Sequence, residues 1–107
     1  MTPEMIPAAA YTHINFAFAS IDPTKFTIAT ASAGDEDLYR RVTNLKTINR
    51  GLQVWISIGG WTFNDPDQPT ARTFSQLAAS TSAQKTFFAS LVSFMSTYGF
   101  DGVDIDW

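Results

Sequence analysis

The chain has 107 residues, 45% hydrophobic and 14% aromatic, with 7 basic and 10 acidic side chains and a formal charge of −3. By length and composition this reads as one small globular domain, and its acidity excludes an electrostatic nucleic-acid binder, which needs a basic face. No apolar run approaches the roughly 18–20 residues of a membrane span, no secretory signal opens the chain at Met1-Thr2-Pro3-Glu4, and the lack of cysteine excludes disulfides and thiolate metal sites.

The first element is a strand from Tyr11 to Ser20, where Ile14, Phe16 and Phe18 alternate with His13, Asn15, Ala17 and Ala19. Asp22-Pro23 breaks it, and Lys25 to Thr30 offers a short further excursion. A helix is expected from about Asp35 to Arg50, with Leu38, Val42, Leu45 and Ile48 or Asn49 near helical spacing as its apolar stripe, three acids in its first turn and Gly51 as a left-handed cap. Leu52 to Gly60 reads as a second strand. Val54, Ile56 and Ile58 form one face and Gln53, Trp55, Ser57 and Gly59 the other, which predicts a sheet covered on both sides with Trp55 in the core. After an irregular loop, a short helix is expected over Ala71 to Ala79. A longer one runs from an N-cap at Ser82 to Tyr98, burying Phe87, Phe88, Leu91, Val92, Met95 and Tyr98, with Gly99 ending it. Phe100 to Trp107 is a third strand. Strand, helix, strand, helix, strand, with long crossovers, predicts consecutive right-handed βαβ units. The single histidine, His13, is expected to be a packed strand residue with a satisfied ring.

The last strand departs from ordinary folding material. Three of the eight aspartates fall in the final seven residues, although aspartate is a poor strand former, and local rules are broken in this way at functional sites. Alternate strand residues lie roughly 6.5 Å apart and point the same way, so Asp104 and Asp106 stand in line on one face with Gly102, while Asp101 lies off it. Carboxylates crowded like this resist joint ionisation and push their pKa values apart.

Asp101-Gly102-Val103-Asp104-Ile105-Asp106-Trp107 resembles the D-x-x-D-x-D-x-E signature of family 18 glycoside hydrolases, the chitinases, on the fourth strand of a (β/α)8 barrel. Ser57-Ile58-Gly59-Gly60-Trp61 resembles the S-x-G-G motif ending that barrel's third strand, and Tyr11 to Phe18 resembles its second strand. The likeness spans nearly the whole chain and is nearest to fungal class V chitinases. It implies an α/β fold, a partial TIM barrel of approximately strands 2–4 with their helices. Residues 1–107 would be a fragment of a catalytic domain that lacks the first strand and the last four βα units, since a complete barrel takes roughly 250 residues.

The resemblance also implies a reaction: substrate-assisted retaining hydrolysis of β-1,4-linked N-acetylglucosamine polymers. Asp106 would orient the acetamido group and stabilise its developing charge, Asp104 would set the proton balance of Asp106, and Asp101 would support the strand start. Ser57 would hydrogen-bond to the aspartates. Gly59, Gly60 and Phe18 would line the substrate site, and the Trp61 indole would stack on a sugar face. A non-proline cis bond at Ala17–Phe18 is implied as well. The partner would be chitin or chito-oligosaccharide, with no cofactor, metal, nucleic acid, membrane or oligomer, and the location extracellular. The glutamate that acts as general acid falls one residue past Trp107, so these residues alone are expected to be inactive. A lectin-like chitin-binding protein without catalysis, or a truncated product with no independent function, are the alternatives.

Overall fold

In the computed structural model, residues 2–60 and 62–107 are described, and the alternation seen in the sequence becomes four strands of one sheet. These are β1 (His13–Ile21), β2 (Ile28–Thr30), β3 (Gln53–Gly59) and β4 (Gly102–Asp106). Their spatial order is β2-β1-β3-β4, with β1, β3 and β4 parallel and β2 antiparallel to β1. The excursion after Asp22 is therefore a hairpin. Its turn is held by the Asp22 carboxylate, which accepts the amides of Thr24 and Lys25. Those amides, Lys25 foremost, hold the Asp22 carboxyl below the usual carboxylate range.

Three helices, α1 (Asp35–Thr43), α2 (Thr73–Ala79) and α3 (Thr81–Tyr98), pack on one face of the sheet and contribute to the core. Val54, Ile56 and Ile58 are wholly buried with Val42, Leu45, Phe74, Leu77, Phe87 and Leu91. The ring of Tyr39 is wholly buried too, edge-on to Phe16, Phe94, Tyr98 and Phe100 at centroid distances of 4.8–5.7 Å. Such geometry suits the ring quadrupoles, and burial pushes the Tyr39 hydroxyl well above the usual phenol range.

Several local expectations are corrected. The first helix stops at Thr43 and tightens into a 3-10 turn over Asn44–Thr47, leaving Ile48 exposed. The Thr43 hydroxyl donates to the Tyr98 carbonyl at 2.6 Å and lies within 3.2 Å of the carbonyls of Tyr39 and Arg40. Gly51 is not left-handed, because the Asn49 side chain closes this turn by accepting the Gly51 amide. The N-cap of α3 is Ser80, not Ser82: Ser80 is extended and its hydroxyl accepts the Ala83 amide at 3.1 Å, while Ser82 already lies inside the helix. The buried stripe of α3 is narrower than expected. Phe87 and Leu91 are buried and Phe94 and Tyr98 half-buried, whereas Phe88 and Val92 are 56% and 67% exposed. Each lies one residue beyond a stripe position, about 100° round the helix.

The other face of the sheet carries Asn15, Ala17, Trp55, Ser57, Asp104 and Asp106, and the helices do not cover it. Trp55 is half-buried on this face instead of in the core, lying against Gly102 with its edge toward His13. His13 is exposed, its Nδ1 3.0 Å from the Thr12 hydroxyl.

Candidate functional site

Parallel pairing sets Ser57 beside Asp104 and Gly59 beside Asp106. Because side chains alternate along each strand, Ser57, Asp104 and Asp106 all reach the open face near the C-terminal ends of β3 and β4. The Ser57 hydroxyl donates to Asp104 Oδ2 at 3.1 Å. Ser57 is buried and both aspartates are exposed, so the hydroxyl orients one carboxylate while the other keeps its full acceptor capacity.

The backbone around them is tight. Gly60 N–H donates to the Asp106 carbonyl at 3.2 Å. Gly59 has φ +109°, and a Cβ there would lie 2.4 Å from that same carbonyl oxygen. Gly60 has φ +104°, and a Cβ there would lie 2.9 Å from the ring of Phe18. Both positions therefore need glycine. Phe18 reaches Gly60 from a break in the β1–β3 register between Ala17 and Ala19, where the Ala17–Phe18 peptide is cis.

Ser57, Gly59, Gly60, Phe18, Asp104 and Asp106 thus come together. Asp101 does not: it stands at the opposite end of β4, where its carboxylate accepts the Val54 amide at 2.9 Å and faces Lys46. Trp61 lies outside the described residues. Trp55 and Asn15, paired across β1 and β3 on the open face below the aspartates, were not singled out as site neighbours. The signal available for Trp55 was Gly102, since an isolated strand glycine marks the close approach of another group.

Two in-line carboxylates, one fixed by a hydroxyl, can accept a ligand N–H and stabilise positive charge developing above the sheet end. Among the described residues no three His, Cys, Asp or Glu side chains cluster as a metal site would require. A depression of about 650 Å³ between Arg40, Asn44, Lys46, Arg50 and Tyr98 lies at the Asp101 end and not at the aspartate pair.

The sequence pattern of Glycosyl hydrolases family 18 matches residues 2–107. Chitotriosidase-1 of Mus musculus is 40% identical over 96 residues, covering 90% of this chain and 19% of the relative. Catalytic domain 2 of an Ostrinia furnacalis Group II chitinase, solved as a mutant in complex with penta-N-acetylchitooctaose, superposes with a TM-score of 0.87 at 33% identity. It covers 100% of this chain and 27% of that one. Human YKL-39, described as a pseudo-chitinase with retained chitooligosaccharide binding properties, gives a TM-score of 0.83 at 29% identity, again over 100% and 27%. The chain spans about a fifth of the length of the curated relatives it matches, and its sheet is part of the barrel of these chitinases.

Proposed function

This chain belongs to glycosyl hydrolases family 18, and from that membership we propose that the protein carrying it cleaves β-1,4-linked N-acetylglucosamine polymers with net retention, the sugar's own N-acetyl oxygen attacking the anomeric carbon. The observation behind this reading is the Ser57–Asp104 hydrogen bond on the same open face as Asp106. In it, Asp106 orients the acetamido group and stabilises the charge that develops there, and Asp104, tethered by Ser57, tunes the proton balance of Asp106. Gly59 and Gly60 let the sugar approach the backbone, Phe18 walls the site, and Trp61 stacks on a sugar face. The general acid is the glutamate that the family pattern places after Trp107.

In the same reading β1, β3 and β4 are barrel strands two to four, the first strand and the last four βα units belong to other parts of the protein, and the protein works outside the cell. Its chemistry needs neither metal nor cofactor. Asp106→Asn in the protein carrying this chain should lower turnover of chito-oligosaccharides by about 10²-fold or more, the scale of a lost electrostatic stabiliser, with oligosaccharide binding by calorimetry largely kept. Unchanged turnover would overturn the role given to Asp106.

The likeness to YKL-39 favours a second reading, a chito-oligosaccharide binder without turnover. Residue 108 separates the two: glutamate supports the hydrolase, any other residue the binder.

A further inference from the structure

Asp104 and Asp106 keep their places only while β4 keeps its register on β3. A slip of one residue carries every side chain of a strand to the opposite face, which would turn both carboxylates toward the helices. The strand's own composition resists this weakly, since it has five residues, two of them aspartate and one glycine.

The groups that hold the register lie just before the strand. Asp101 N–H donates to the Val54 carbonyl at 2.8 Å, and Val54 N–H donates back to Asp101 Oδ2 at 2.9 Å. Lys46, from the 3-10 turn ahead of β3, donates to the Gly99 carbonyl at 2.6 Å and lies 3.1 and 3.2 Å from the two oxygens of Asp101. Its ammonium spends its donors on these acceptors. Thr43 adds a bond from its hydroxyl to the Tyr98 carbonyl at 2.6 Å. One segment thus grips three of the four residues from Tyr98 to Asp101, namely Tyr98, Gly99 and Asp101.

We propose that Lys46 is a positioning residue for the carboxylate pair: by clamping Gly99 and Asp101 it fixes the β3–β4 register that presents Asp104 to Ser57 and Asp106 to the substrate. The catalytic half of this proposal rests on the hydrolase reading given above; the structural half does not.

Lys46→Met and Lys46→Arg in the protein carrying this chain test both halves. Lys46→Met should lower kcat per folded molecule by about tenfold or more, because small misplacement of catalytic groups is costly, with KM within about twofold. It should also speed amide hydrogen exchange at Val54 and across Gly102–Asp106. Lys46→Arg, which can grip the same carboxylate, should recover most of both. A Lys46→Met protein with wild-type kcat per folded molecule, or with kcat and KM changed together, would overturn the positioning role. If the unmutated protein hydrolyses no chito-oligosaccharide, the hydrolase reading fails by itself. Exchange at Val54 and β4 then decides the clamp: faster exchange in Lys46→Met supports it, and unchanged exchange overturns it.

Discussion

The indole of Trp55 occupies the space that a side chain at position 102 would need: a Cβ on Gly102 would lie 2.4 Å from its ring. Gly102→Ala should therefore destabilise the fold by about 1–3 kcal/mol, as overpacking does, and denaturant unfolding measures it. In the Trp55→Ala background the same change should cost much less, a coupling that a double-mutant cycle isolates. Equal costs in the two backgrounds would mean that the ring is not what excludes the side chain. These two residues also mark a limit of what the sequence discloses. A period of two says that Gln53, Trp55 and Ser57 share a face, but not whether that face is covered, so an aromatic residue there reads as core. The aspartate pair stood out for the opposite reason: its residues are poor strand formers, and local rules are broken in this way at functional sites.

Element boundaries follow capping chemistry more closely than periodicity. Both Ser80 and Ser82 can cap a helix by composition, and only geometry separates them: Ser80 is extended and accepts the Ala83 amide. Ser80→Ala should cost about 1 kcal/mol, the usual worth of an N-cap, while Ser82→Ala should change thermal stability little; the reverse order would place the cap at Ser82. The succession of the parallel strands β1, β3 and β4 was readable from hydrophobic alternation and crossover length, whereas the antiparallel β2 showed in the sequence only as a short excursion. The early end of α1 was not readable, since the apolar spacing runs on past Thr43 while the chain tightens into a 3-10 turn there. Likewise the exposed Phe88 and Val92 share their apolar character with the buried Phe87 and Leu91, and only the direction of the sheet tells them apart.

At the scale of the molecule, an apolar groove of about 310 Å³ runs between Leu77, Phe87, Phe88, Val103 and Ile105. Phe88, Val92 and Trp107 are each more than half exposed nearby. Apolar surface of this kind drives association in water. A polypeptide of these 107 residues alone should therefore bind a hydrophobic dye, sediment as concentration-dependent oligomers and show no hydrolysis of chito-oligosaccharides. Phe88→Lys with Val92→Lys should reduce the association; a monomer that binds no dye would contradict the prediction. The order β2-β1-β3-β4 has a consequence for synthesis. Each of the parallel strands joins the free edge left by the one made before it, and the β2 hairpin folds back locally on β1 alone. A chain leaving the ribosome N-terminus first can thus lay down this sheet by accretion, never reopening a finished ladder to admit a later strand.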